Sequence, residues 1–341
     1  MQTGFWTKCL PWYQQPERKM SRKRQLNIQH DQFRCRGAML ELQQLLDQRH
    51  VAKALELDYQ SRSRLGMSGS HVSKAKGRGV DFEEHRAYQA GDDIRSIDWR
   101  VTARTGRPFT KIFREEREKP VIIGVDQSHH MYFGSQVSFK SVVAAEVAAI
   151  LCWMTVDNGD RVGGVVFSDT STELVKARRG KRSALRFLSL LADYNQKLVN
   201  QHKPVLKPDG KSGLREALEH IYRITKPGST IYLISDFSDL DKTCLQYMQQ
   251  LSRHNNMSCI FIYDNLESQL PKPGIYSITN GDELDTIDTY ATQVRNSYHQ
   301  SFENKLQKLH SELNALKIPL ISLRTDQIVL EQLESWNQKT R

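Results

Sequence analysis

The stretch Val121-Ile-Ile-Gly-Val-Asp-Gln-Ser-His-His-Met131 decides the fold of this chain. A run of apolar, mostly β-branched residues ends at Asp126, and Ser128 and His130 follow at alternate positions. Such a run is typical of a buried strand in a parallel sheet. Polar side chains that directly follow such strands lie at the carboxyl edge of the sheet, where open α/β folds bind ions and partners. The stretch therefore predicts a binding site at a sheet edge.

A second apolar stretch, Ser229-Thr-Ile-Tyr-Leu-Ile-Ser-Asp236, also ends in an aspartate. Two buried strands that finish in Asp126 and Asp236 favour one shared adhesion site that depends on a metal ion, and a binding module rather than an enzyme. The simpler alternative is that each aspartate caps the segment that follows it, as aspartate often does at helix starts. Capping alone does not explain why Ser128 and Ser212 accompany the two aspartates.

Strand and helix patterns alternate along most of the chain. Strands are predicted at 121–126, 161–167, 171–176, 229–235, 258–263, 275–278 and 318–323. Helices are predicted at about 139–158, 181–195, 213–225, 240–254, 292–315 and 327–337. Repeated strand–helix units predict an α/β fold, with a Rossmann-like parallel sheet that is covered by helices on both faces.

The chain divides into four predicted segments. Residues 1–36 are expected to be a basic, disordered leader, and an apolar stripe predicts an N-terminal helix within 37–65. Residues 66–119 begin with a loop rich in Gly, Ser and Lys and continue as a small antiparallel β-subdomain, with turns at Gly91-Asp92 and Thr105-Gly106. Residues 120–341 form the main α/β domain.

The net charge of +10 is concentrated near the N-terminus, because residues 1–120 hold 24 Lys and Arg against 15 Asp and Glu. A basic segment can meet nucleic acid, an anionic lipid or an acidic protein face. No recognition motif or interleaved aromatic residue accompanies these charges, so a solvated leader is favoured. Nucleic-acid binding through the basic region is not favoured by these residues and is kept as the main alternative function.

Cysteine usage and hydropathy bear on the compartment. The five cysteines form no C-x-x-C pair, which favours a reducing cytosol and requires neither disulfides nor zinc. The longest apolar stretch, 142–156, contains Glu146 and is too short to cross a bilayer. Residues 1–20 lack the apolar core of a signal peptide. A cytoplasmic protein without a membrane span is expected.

Several spaced motifs occur in a characteristic order between residues 65 and 330. They are Gly79-Val-Asp-Phe82, Arg86-Ala-Tyr-Gln-Ala-Gly-Asp-Asp-Ile-Arg-Ser-Ile-Asp-Trp99, Ala103-Arg-Thr-Gly106, Asp126-x-Ser128, Gly159-Asp-Arg-Val-Gly163 and Ile234-Ser-Asp-Phe237. Together they resemble the family labelled domain of unknown function 58, a relative of the von Willebrand factor A domain. The resemblance implies a von Willebrand A-type fold. It also implies cooperation with an AAA+ ATPase of the MoxR type in the assembly or maturation of client proteins.

The resemblance also implies a set of metal ligands for Mg²⁺ or Mn²⁺. Asp126 and Ser128 match the first loop of such a site, Ser212 the second and Asp236 the third. His130 stands where the pattern expects a serine, and imidazole is a larger and softer ligand than a hydroxyl. Because Mg²⁺ prefers oxygen ligands in octahedral geometry, we expect its binding to be weak or absent. Asp126, Ser128, His130 and Asp236 are then expected to form a docking surface for a partner protein.

The block from Gly91 to Trp99 is the other concentrated signal. Asp92, Asp93 and Arg95 are candidates for a second partner surface. The structural alternative is a turn in which the Asp side chains accept backbone amides, Arg95 pairs with a carboxylate, and Ile97 and Trp99 are buried.

Enzymatic interpretations are weaker. Gly210-Lys-Ser212 resembles the end of a phosphate-binding loop, but Val205 lies where that motif requires glycine. A nucleophile formed by Ser128 and His130 lacks the Gly-x-Ser-x-Gly context. His129-His130 has no third His or Cys nearby in the sequence to complete a transition-metal site. A non-enzymatic interaction adaptor is therefore expected, with nucleic-acid binding as the alternative and a metal-dependent hydrolase as a third candidate.

Overall fold

The computed structural model describes residues 33–63, 80–89, 92–115, 119–200, 211–279 and 284–339. The predictions for residues 1–32, for the loop over 66–79 and for Gly91 lie outside these ranges.

A sheet of six strands forms the centre of the main domain, in the order β10-β7-β6-β3-β4-β5. The strands are β3 (Pro120–Asp126), β4 (Arg161–Phe167), β5 (Thr172–Arg179), β6 (Thr230–Ser235), β7 (Asn256–Tyr263) and β10 (Leu320–Arg324). Neighbouring strands are parallel except β4 and β5, which pair antiparallel. The four-residue connection 168–171 explains this exception, since a parallel crossover needs a dozen or more residues.

Helices cover both faces of this sheet, which confirms the predicted α/β fold. The helices of the main domain are α3 (Lys140–Asp157), α4 (Lys181–Asn200), α5 (Gly213–Ile224), α6 (Lys242–Ser252), α7 (Asn265–Ser268), α8 (Thr292–Ala315) and α9 (Val329–Lys339). Side chains alternate across the sheet: Ile123 and Val125 face the layer that contains α3, α4 and α9, whereas Ile122 faces α5, α6 and α8. The two faces of β3 therefore belong to two separate apolar clusters.

The N-terminal helix α1 (Leu42–Ser63) packs on the main domain. Leu45 is fully buried, and its carbonyl accepts the indole N–H of Trp153 in α3 at 3.0 Å. Ahead of the helix, Cys35 is also fully buried, and its backbone N–H donates to Glu146 of α3 at 3.2 Å. Residues 33–36, which the sequence assigned to the leader, thus pack on the main domain.

The segment before the main domain contains an antiparallel pair, β1 (Val80–Ala87) and β2 (Phe109–Glu115). Between the strands lie a short 3₁₀ turn at Ile94–Ser96 and helix α2 (Trp99–Thr105). The predicted turn at Thr105-Gly106 is the C-terminal cap of α2, where Gly106 takes φ +70°. The expectation that Trp99 is buried is wrong, because this side chain is 66% exposed at the first turn of a helix.

A second antiparallel pair, β8 (Ile275–Thr279) and β9 (Leu284–Asp288), precedes α8. The sequence predicted β8 but not β9 or the single-turn helix α7. Within the described ranges, no helix combines the length and apolarity required to cross a membrane.

Candidate functional site

Asp126 ends β3 at the carboxyl edge of the sheet, beside the end of the neighbouring strand β6. Its Oδ2 accepts the hydroxyl of Ser235 at 2.5 Å, and its Oδ1 accepts the backbone N–H of Ser128 at 2.9 Å. The carboxyl group is buried. Burial and the nearby charge of Asp236 raise the pKa of Asp126 to about 7, although Ser235 and Ser128 favour its ionised form. The two strand-end aspartates therefore lie close enough to interact electrostatically, as the sequence predicted.

Asp236 follows β6 and is engaged by a buried lysine. The ammonium of Lys140, the first residue of α3, lies 2.7 Å from Oδ2 of Asp236 and 2.8 Å from Oε1 of Glu267. The Lys140 side chain is only 2% exposed. Burial acts to raise the pKa of Asp236, but the charge and hydrogen bond of Lys140, the backbone N–H of Ser238 and the charge of Lys305 together hold that pKa below its usual value. Burial likewise acts to lower the pKa of Lys140, but Asp236 and Glu267 raise it.

Asp264 ties three further segments to the same edge. It follows β7, is fully buried, and accepts the hydroxyls of Ser135 and Thr325, each at 2.5 Å. It also caps α7 through the backbone N–H of Leu266, and Glu267 completes the capping box. Burial acts to raise the pKa of Asp264, but the bonds from Ser135 and Thr325 lower it. The loops after β3, β7 and β10 are therefore joined by one carboxylate.

Ser212 lies at the same edge, in front of helix α5. The next residue, Gly213, is so close to the end of β4 that a Cβ atom there would lie 2.4 Å from the carbonyl oxygen of Ser168. The hydroxyl of Ser212 accepts the backbone N–H of Arg215 at 3.3 Å and so caps α5. Helix capping, which was the alternative role considered for Asp126 and Asp236, is thus the role that Ser212 has in the structure.

Two histidines form the outer part of the edge. Nδ1 of His129 lies 2.8 Å from Asp169, and its backbone N–H donates to the same carboxylate at 2.7 Å. The ring of His130 lies beside that of His129, with centroids 3.8 Å apart and the ring planes tilted by 40°. Nε2 of His130 lies 3.9 Å from Asp239, and both side chains are more than one-third exposed. Burial raises the pKa of Asp239, and the charge of His130 opposes this shift.

The side chains of this edge do not fit a divalent metal ion. The Asp126 oxygens accept bonds from Ser235 and Ser128, and those of Asp236 accept the Lys140 ammonium and the Ser238 backbone N–H. His130 faces Asp239 instead of contributing a hydroxyl. In the part of the chain that the structure describes, no group of three or more His, Cys, Asp or Glu residues is arranged to hold an ion.

In the block of residues 92–99, called the Asp92 block below, the aspartates follow the structural interpretation. Asp92 accepts both bonds from Arg86, at 2.7 and 2.8 Å. Asp93 caps the 3₁₀ turn through the backbone N–H of Arg95, and Asp98 caps α2 and contacts His85 at 2.9 Å. The carboxylate pair observed here is made by Arg86, whereas the sequence assigned it to Arg95.

Sequence reasoning missed a basic groove at the opposite, amino edge of the sheet. A cavity of about 730 Å³ lies where β5 ends and α4 begins. It is lined by Val175, Lys176, Arg178, Arg179, Arg182, Ser183 and Arg186. The near-zero net charge of residues 121–341 concealed this cluster, which a short charge window over 176–186 would have found.

Lys140, Glu267 and Asp264 were also missed at the carboxyl edge. The signal for Lys140 is its position at the start of an apolar, alanine-rich helix, which the sequence predicts to be buried. Because a lysine is almost never fully buried unless it is paired, this position indicates a carboxylate partner.

Solved structures of low sequence identity are similar to this chain. For the BatB protein of Bacteroides thetaiotaomicron, the identity is 16%, the TM-score is 0.38, and the match covers 65% of this chain and 97% of BatB. For the SpRpn10 VWA domain, the identity is 11% and the TM-score 0.35, with 64% and 95% covered. The assignment of the α/β fold rests on the strand order described above.

Comparison of sequences identifies the family. The uncharacterized protein Rv1480 of Mycobacterium tuberculosis is 24% identical over 277 residues, which cover 80% of this chain and 84% of that protein. The uncharacterized protein Mb1516 of Mycobacterium bovis matches to the same extent. The model of the family described as "Protein of unknown function DUF58" matches residues 84–308. The chain therefore belongs to the DUF58 family.

Proposed function

We propose that this chain is a non-enzymatic adaptor that binds another protein through the carboxyl edge of its central sheet. The observation that carries the proposal is the set of buried and partly buried hydrogen bonds that joins the loops at this edge. Asp126 bonds Ser235, Lys140 joins Asp236 to Glu267, and Asp264 joins the loops after β3, β7 and β10. A surface fixed in this way binds with little loss of conformational entropy.

The outer part of the edge provides the contacts. The side chains of His130 and Asp239 are each more than one-third exposed. Asp169, which contacts the ring of the neighbouring His129, lies next to them. Burial already raises the pKa of Asp239, so further desolvation by a partner favours either its protonation or its pairing with a donor. A partner that offers lysine, arginine or backbone N–H groups would satisfy these acceptors.

The chemistry of the edge favours binding over catalysis. Ser128 donates its backbone N–H to Asp126, and His129 pairs with Asp169. His130 faces Asp239. A hydrolase of the serine type instead requires the base to accept a proton from the serine hydroxyl.

A MoxR-type AAA+ ATPase, or a client of that machine, is the proposed partner, on the strength of the family resemblance. Hydrogen exchange of the full chain, with and without the purified MoxR-type ATPase of the same organism, tests the position of the interface. We expect increased protection of residues 127–135, 168–171 and 236–241. Protection confined to the Asp92 block or to the amino edge of the sheet would contradict the proposal.

Binding of a polyanion such as nucleic acid is the second candidate, favoured by the basic groove of Lys176, Arg178, Arg179, Arg182 and Arg186. Fluorescence anisotropy with a 20-base-pair DNA, measured over a range of salt concentrations, tests it. Phosphate-driven binding should weaken steeply as salt rises, and the variant with Arg182→Glu and Arg186→Glu should reduce the salt slope by about 2. An affinity for DNA that changes neither with salt concentration nor with charge reversal would contradict this function. Deletion of residues 1–32 separates the groove from the basic leader.

A further inference from the structure

Lys140 contacts Asp236, one of the residues that the family resemblance implies as metal ligands. Its ammonium contacts Asp236 at 2.7 Å and Glu267 at 2.8 Å, and the side chain is 2% exposed. A divalent ion held directly by Asp236 would compete with this ammonium for the same carboxylate. An ammonium has three donors and so binds the same kind of acceptor without octahedral geometry or coordinated water.

We propose that Lys140 is the resident cation of this site, so that the carboxyl edge is assembled without a divalent metal ion. The ammonium neutralises Asp236 and holds the end of β6 to the capping box of α7. Binding of a partner by this metal-free edge rests on the proposed docking function. The role of Lys140 as the cation is independent of that function.

Competition between the two cations favours the lysine. To admit an ion at Asp236, the ammonium would have to leave the buried carboxylate of Asp236 and the partly buried carboxylate of Glu267 and find new acceptors. A buried charge without partners is strongly unfavourable, whereas the lysine is tethered and needs no recruitment from solution. Lys305 adds to the local positive charge: it contacts the Ser238 hydroxyl at 3.3 Å and helps to keep the pKa of Asp236 low.

Thermal unfolding of the full chain tests the proposal directly. The melting temperature is measured in EDTA, in 1 mM MgCl₂ and in 1 mM MnCl₂, with calorimetric titration of Mn²⁺ as a second measurement. A site with a Kd of about 10 µM would raise the melting temperature by about 4 °C at 1 mM ion. We expect no such rise and no saturable heat. A stoichiometric Mn²⁺ signal in the wild-type chain would overturn the proposal.

Lys140→Met supplies the complementary result, with Lys242→Met as the matched control because Lys242 is exposed at the start of α6. Loss of a buried partner should lower the melting temperature by about 4–7 °C in Lys140→Met and leave Lys242→Met unchanged. The Lys140→Met variant should also gain stabilisation by Mn²⁺, since Asp126, Asp236 and Glu267 then lack a cation. A variant as stable as the wild type, or one that gains no response to Mn²⁺, would contradict the role of Lys140.

An insoluble Lys140→Met variant leaves the decision to the wild-type titration. Binding of the ATPase is measured separately. If the chain does not bind the ATPase and its stability does not depend on metal, the docking function is contradicted but the role of Lys140 is supported.

Discussion

The hydroxyl of Ser235 lies 2.5 Å from Oδ2 of Asp126 and joins the ends of two neighbouring strands. Ser235 ends β6 and Asp126 ends β3, so this bond fixes the two strands at the edge where both aspartates lie. Asp236, the next residue after Ser235, is close enough for its charge to raise the pKa of Asp126. The arrangement places two buried carboxyl groups at the centre of the candidate docking surface.

Asp126 should make the stability of the fold depend on pH. Its pKa is about 7 in the folded chain and about 3.8 when unfolded, so the folded state holds the extra proton between these values. Stability should therefore be greatest below the unfolded pKa and fall as the pH rises towards 7. Asp126→Asn removes this titration and retains an acceptor for Ser235. Relative to the variant, the wild type should lose up to about 4 kcal/mol of unfolding free energy between pH 4 and pH 8.

Urea unfolding of both proteins in EDTA at several pH values measures this difference. A constant difference between Asp126→Asn and the wild type across the range would show that Asp126 titrates in the same way in the folded and unfolded chains.

The effects on stability of changing Lys140 and of changing Asp236 should be strongly coupled. Asp236→Asn alone removes one carboxylate from a buried ammonium and should cost about 3–5 kcal/mol. Replacing both Asp126 and Asp236 by alanine would also deprive the Lys140 ammonium of its Asp236 partner. Such a double variant therefore tests folding as well as docking. Adding Lys140→Met to Asp236→Asn should cost less than the sum of the two single changes, since no ammonium is then left without its partner.

A double-mutant cycle in urea measures the coupling energy of this pair. Additive effects would mean that the two groups act independently, in conflict with the 2.7 Å contact.

The N-terminal helix should contribute to the core of the main domain. Leu45→Ala should destabilise the chain by about 2–5 kcal/mol, because Leu45 is fully buried. Leu42→Ala is the matched control in the same helix: its side chain is 37% exposed, and the change should cost no more than about 0.5 kcal/mol. Equal effects in urea unfolding would show that α1 does not pack as described.

Apolar runs bounded by polar residues made most of the sheet predictable. β4 was predicted with its observed bounds, and the stretch ending at Asp126 gave the central strand β3. The Asp92 block was harder, because its apolar residues alternate as they do in a strand. There Asp98 starts helix α2 by accepting the backbone N–H groups of Arg100 and Val101, so local capping outweighs the alternation.

The site was only partly predictable, for a physical reason. The convergence of Asp126 and Asp236 follows from parallel strands that end at one edge. The partners that satisfy them do not follow, since Lys140 and Glu267 are brought to the edge by the packing of α3 and α7. Sequence separation of 96 residues between Lys140 and Asp236 gives no local pattern from which this pair could be inferred.

The most direct test of the docking edge is the Kd for the purified MoxR-type ATPase. The variant with His130→Ala and Asp239→Ala changes two exposed side chains of the edge, and Arg253→Ala at the amino edge of the sheet serves as control. We expect the first variant to bind at least about tenfold more weakly than the wild type, a loss of about 1.4 kcal/mol, and the control to bind as tightly as the wild type. An unchanged Kd for the edge variant would contradict the account.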